Sequence, residues 1–124
     1  MRFYEFEAKR LFAKHGIAVP QGKAASSPAE AEAIAAELGC PVTVRAQVVN
    51  RAHAASKTAD SPARARELAT ELLALDDGRR RARGVLVEKV VGATADFSVA
   101  ASYDGTRKLP VLVACSVEIG RAHV

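Results

Sequence analysis

Two Ser-Pro dipeptides constrain this chain most, because each opens a helical stretch. A serine can cap the free amides of a helix start, and proline suits the first helical position, where its missing N–H has no partner to lose. After Ser27-Pro28-Ala29-Glu30, in which Glu30 completes a capping box, alanine-rich sequence carries a helix to Leu38, and Gly39 stops it. Ser61-Pro62 repeats the signal, with Leu68, Leu72, Leu73 and Leu75 as the buried stripe. Residues 41–48, between the helices, are β-branched and partly alternating, which predicts a strand.

An amphipathic helix comes first. Phe3, Phe6, Leu11 and Phe12 recur near helical spacing, Glu5, Lys9, Arg10 and Lys14 take other faces, and Gly16 and Pro20 close the element. A short extended stretch, residues 22–25, follows. Asp76-Asp77-Gly78 reads as a turn, and the last third is rich in strands. Residues 85–90 form one strand and 96–103 a second, which a hairpin over 104–108 joins to a returning strand at 112–116. Helices alternating with strands, then antiparallel strands, give an α/β chain: an α+β sandwich with a mixed sheet, not a doubly wound parallel one.

Charge and cysteines narrow the function. The net charge of +4 comes mainly from Arg64, Arg66, Arg79, Arg80, Arg81 and Arg83. No aromatic residues interleave with these arginines to stack bases, so a solvated basic face is favoured over a nucleic-acid partner. No apolar run approaches the roughly 18–20 residues that cross a bilayer, which argues against a membrane protein. The first residues, Met1-Arg2-Phe3-Tyr4-Glu5, lack the apolar core of a signal peptide. Cys40 and Cys115 stand far apart in no metal-type spacing, as reduced, semi-buried thiols of a cytoplasmic protein would.

Several segments in order then resemble one family. The opening FYEFEAKRLFAKHGIAVPQG, the strand VTVRAQV, the helix TADSPARARELATELL and the run GVLVEKVVGATADFSVAASYDGTRKLPVLVACS resemble the N-terminal part of the ATP-grasp domain of succinyl-CoA synthetase β subunits. The resemblance covers residues 1–117 and implies the ATP-grasp fold, holding ATP or GTP between lobes. It also implies an acid–CoA ligase, foremost succinate–CoA ligase of the tricarboxylic acid cycle, with an α subunit as partner. That α subunit carries the phosphorylated histidine, so no catalytic residue is expected here, and His53 is not assigned that role. Mg²⁺ is implied for the full-length parent, with its ligands further along, so no metal ligand is expected here either. The chain as it stands is expected to be inactive alone.

By position, the resemblance assigns nucleotide binding to Arg45, Glu88, Val91 and Asp96. Arg45 stands where the family has a phosphate-contacting lysine. Its fork keeps the charge but not the compact ammonium. Glu88 takes the place of the adenine-side hinge glutamate, Val91 that of a backbone hinge contact, and Asp96 that of a second acidic nucleotide contact. Each has a plainer reading too: Arg45 as a structural ion-pair partner, Glu88 as a solvated strand-edge charge, Asp96 as the partner of a nearby cation.

Two departures stand out. Where the family carries a glycine-rich phosphate loop, this chain reads Val49-Asn50-Arg51-Ala52-His53-Ala54-Ala55-Ser56-Lys57-Thr58, with no glycine to let backbone amides close on phosphate. Arg51 and Lys57 could supply charge only. Residues 118–124 (EIGRAHV) depart from the family and resemble a translated sequencing adapter, so they are expected to be a non-native tail. The glycine-free loop keeps open a degenerate ATP-grasp module with a structural or subunit-interaction role. Another ligase of the same lobe, of malate–CoA or citrate-lyase type, stays open as well.

Overall fold

A computed structural model describes residues 3–48, 56–75 and 81–117. The chain divides into two compact units, Met1–Val91 and Gly92–Val124. In the first, α1 (Glu5–Lys14) precedes β1 (Gly22–Ala25), α2 (Pro28–Leu38), β2 (Val42–Gln47), β3 (Ser56–Ala59), α3 (Pro62–Ala74) and β4 (Gly84–Lys89). The second holds β5 (Asp96–Asp104) and β6 (Leu109–Val117).

The Ser-Pro signals act as expected. The Ser27 and Ser61 hydroxyls accept hydrogen bonds at 3.2 Å from the backbone amides of Glu30 and Arg64 respectively. Each satisfies one of the free amides at a helix start. The Glu30 carboxylate differs from expectation by one residue, accepting from the amide of Ser26 at 3.0 Å rather than from that of Ser27. Gly39, at φ 83°, ends α2 in the left-handed region that glycine enters freely.

Four strands form the sheet of the first unit, in the order β1-β4-β2-β3. Among the described residues every ladder is antiparallel, which corrects the expectation of a mixed sheet. The reason is topological. β1 and β2 run in the same direction through the α2 crossover, but β4 inserts between them and pairs antiparallel with both. Residues 56–58 differ from the loop expected over 49–58: with Ala59 they form the edge strand β3, paired with β2.

One sheet face carries the core. Val42, Val44, Ala46, Val85 and Val87 alternate along β2 and β4 and bury against Ala31, Ile34 and Ala35 of α2 and Ala65, Leu68, Ala69 and Leu72 of α3. Leu73 flanks this cluster. Leu75, expected in the stripe, is exposed, because α3 ends at Ala74 and Leu75 turns to an extended conformation. The strand pair β1–β4 leaves no room for side chains at its ends: a Cβ on Gly22 would meet the Val87 carbonyl oxygen at 2.6 Å, and one on Gly84 that of Ala25 at 2.6 Å.

In the second unit, β5 and β6 form a two-stranded antiparallel hairpin. Asp104 Oδ1 accepts from the amides of Thr106 at 2.9 Å and Arg107 at 3.1 Å, closing the turn at the expected place. The turn Asp76-Asp77-Gly78 and the tail 118–124 lie outside the described residues.

Candidate functional site

The sheet face opposite the core carries Thr43, Arg45, Leu86 and Glu88. Thr43 lies across from Glu88 and Arg45 across from Leu86. Residues two apart on a strand share a face, so the strands place Arg45 and Glu88 at diagonal positions on one surface. That surface is not open. Helix α1 bridges it with charged side chains.

Lys9 of α1 donates to both Glu88 carboxylate oxygens, at 2.6 and 2.5 Å, and stands 3.2 Å from Glu5 Oε1. The same Glu5 oxygen accepts from the Arg45 guanidinium. An alternating chain Arg45–Glu5–Lys9–Glu88 therefore ties the helix to both strands, and its charges cancel. Gln47, buried beside it, accepts the Phe6 amide at 3.0 Å and donates to the Arg45 carbonyl at 3.2 Å. Arg83 lies over the Tyr4 ring, 5.6 Å from its centre.

Of the four apolar residues of this amphipathic helix, Phe3, Leu11 and Phe12 are exposed, and only Phe6 is half-buried, at the edge of the groove beside the sheet. The cause lies in the sheet. Arg45, Gln47 and Glu88 need polar partners, and covering them with phenyl or isobutyl groups would leave charge and amide groups unsatisfied. Sequence reasoning places Glu5 and Lys9 only on the helix's polar faces, not in contact with Arg45 and Glu88. Their i,i+4 spacing was visible as a pair, but nothing local said that the pair faces inward.

Glu88 is accordingly no solvated edge charge: its side chain is 6% exposed. A groove of about 360 Å³ opens beside it, bordered by Phe6, Lys9, Arg10, Lys23 and Leu86, a volume within the range of small-molecule sites. Arg45 does not line this groove. Val91, just past the end of β4, is 64% exposed. Asp96 is exposed at the start of β5 in the second unit, opposite Val117. Arg45 and Glu88 share a face, Val91 lies in the same unit past the end of β4, and Asp96 belongs to the other unit.

The loop residues divide. Ser56, Lys57 and Thr58 are strand β3, and Lys57 pairs across from Val44 on the core-side row, where it meets Glu71 of α3 at 3.1 Å. Lys57 is therefore not aimed at the Arg45 face. Arg51, His53 and the rest of 49–55 lie outside the described residues. Of the thiols, Cys40 packs half-buried at the core edge, and Cys115, expected to be semi-buried, is exposed. Arg64 and Arg66 are ion-paired with Glu67 at 2.8 Å and Glu32 at 2.9 Å. Among the described residues no helix is long and apolar enough to cross a membrane.

Known proteins resemble this chain in sequence and fold. Residues 2–120 match the family profile of the ATP-grasp domain. The β subunit of an ADP-forming succinate–CoA ligase from Methanothermobacter thermautotrophicus is 38% identical over 116 residues, 92% of this chain and 32% of that protein. The β subunit of a GDP-forming succinate–CoA ligase from Thermus thermophilus is 34% identical over 116 residues, 91% of this chain and 31% of that protein. The chain thus spans about a third of the length of the curated relatives it matches. Among solved structures, an acetyl-coenzyme A synthetase from Ca. Korarchaeum cryptofilum, in complex with coenzyme A and Ca-AMPCP, superposes with a TM-score of 0.82 at 20% identity, over 94% of this chain and 54% of that one. That likeness establishes the fold.

Proposed function

This chain belongs to the ATP-grasp domain family, and on that premise we propose that it is the N-terminal, nucleotide-facing part of the β subunit of an ATP- or GTP-dependent acid–CoA ligase of succinate–CoA ligase type. The observation that carries the proposal is the shared face of β2 and β4, which bears both Arg45 and Glu88, with a groove of about 360 Å³ opening beside Glu88. The β-subunit relatives, matched over nine-tenths of this chain, support the ligase class.

In this reading Arg45 faces the phosphates. The end of β4 from Glu88 to Val91 meets the base, and Asp96 adds the second acidic nucleotide contact. The physical task is positioning and charge neutralisation, since phosphoryl transfer asks little covalent chemistry of the protein. Glu88 serves through its backbone and through Lys9, because its carboxylate is engaged. The acceptor of the phosphoryl group would be a histidine of an α subunit partner in the cytoplasm. We keep residues 1–117 as the ATP-grasp part and 118–124 as a tail, although the family match itself runs to residue 120.

The reaction class implies Mg²⁺. Among the described residues no group of His, Cys, Asp and Glu side chains converges to hold one. These residues do not fit the ion.

A second reading is favoured by the glycine-free loop 49–58, which lacks the backbone cradle for phosphate. The chain would then be an ATP-grasp module retained for subunit interaction. Calorimetric titration of the full-length protein with ATP and GTP decides. Binding in the micromolar range, about 8 kcal/mol, supports the ligase, and no binding at millimolar nucleotide refutes it in favour of the degenerate module.

A further inference from the structure

Glu5 Oε1 is the meeting point of both cations on the α1 face. It accepts from the Arg45 guanidinium and lies 3.2 Å from Lys9 Nζ. An oxygen carrying negative charge, held by a guanidinium and an ammonium from different elements, is the environment in which proteins bind a phosphate oxygen. Here a side chain of the protein fills it. Glu5 belongs to a helix that buries no residue, whereas Arg45 is fixed in a central strand and Lys9 is anchored by two short bonds to the buried Glu88. If Glu5 withdraws, Arg45 stays fixed on β2 and Lys9 keeps Glu88, whereas Glu5 has no side-chain partner besides these two cations among the described residues.

We infer that Arg45 and Lys9 form an oxyanion site for a phosphate group of the nucleotide, and that the Glu5 carboxylate is its internal occupant, displaced when the ligand binds. The inference rests on the nucleotide-binding reading and adds to it a phosphate-side residue, Lys9, and a competing anion, Glu5. Charge makes the competition unavoidable. The chain Arg45–Glu5–Lys9–Glu88 is neutral as it stands, so a polyphosphate entering beside it meets no net attraction until Glu5 withdraws. Once it does, Arg45 and Lys9 face a single remaining carboxylate, Glu88.

The test is titration of the full-length protein and its Glu5→Gln variant with ATP and, separately, with adenosine. Glutamine keeps the shape and the helix position of glutamate but competes without charge. Glu5→Gln is expected to tighten ATP binding roughly three- to tenfold and to leave adenosine binding unchanged. Arg45→Met introduced into the Glu5→Gln protein is expected to remove the gain. A carboxylate that merely braced α1 would give the opposite sign, weaker binding of both ligands. Glu5→Asp, which keeps the charge but draws it back by one methylene, is expected to give a smaller gain in the same direction and covers the case in which Glu5→Gln does not fold. If the parent binds ATP and both variants bind it equally or more weakly, the inference is overturned and the nucleotide reading stands. If neither parent nor variants bind ATP at millimolar concentration, both fall.

Discussion

At the residue scale, Lys9 is the most connected side chain of the candidate site. It supplies the cation for the buried Glu88 and contacts the carboxylate that holds Arg45. Replacing it with methionine leaves a carboxylate at 6% exposure without its partner. Lys9→Met is therefore expected to destabilise the protein by about 1–3 kcal/mol, because an unpaired buried charge costs more than the pair contributes. Adding Glu88→Leu is expected to recover part of that loss, read by urea unfolding of both variants. Recovery would show that the cost lies in the orphaned charge rather than in a lost helix contact. How much of this was legible differs by residue. Arg45 and Glu88 could be assigned to two strands beside one cleft from the resemblance, and the register between β2 and β4 then shows that they share a face. Their partners could not be assigned, since a contact across 79 residues, as between Lys9 and Glu88, leaves no local signal.

At the element scale, the signals that depend on neighbouring residues were the readable ones. Ser27 and Ser61 cap α2 and α3 as their spacing implied, and Asp104 closes the β5–β6 turn. Each cap is expected to contribute about 1 kcal/mol. Ser27→Ala and Ser61→Ala should lower unfolding stability by that amount each, with effects that add when the caps are removed together, since the caps sit on separate helices. What could not be read was the identity of the strand neighbours. β4 separates β1 from β2, so the expected mixed sheet is antiparallel throughout the described residues. β3 hid inside a segment compared with a loop. The orientation of α1 could not be read locally either, because the polar demand of the sheet beneath it decides which side chains turn inward.

On the scale of the whole molecule, the two units differ in what holds them. The first has a continuous core of Val, Leu, Ile and Ala side chains between sheet and helices. The second is a hairpin on which Phe97, Val99, Tyr103 and Leu112 are all exposed, and a lone two-stranded hairpin is marginal in water. Amide hydrogen exchange on this chain should therefore show strong protection in β2 and β4 and far faster exchange in β5 and β6. Equal protection would mean that the hairpin is buried by something these contacts do not contain. The central claim concerns the first unit: that the α1-covered face of β2 and β4, not the helix-packed face, meets the nucleotide. Following backbone amide resonances while ATP is added tests it directly. The account predicts that shifts concentrate at Thr43, Arg45 and Glu88 to Val91, with Glu5 and Lys9 of α1 moving alongside them. No shifts at millimolar ATP, or shifts confined to α2 and α3, would contradict it.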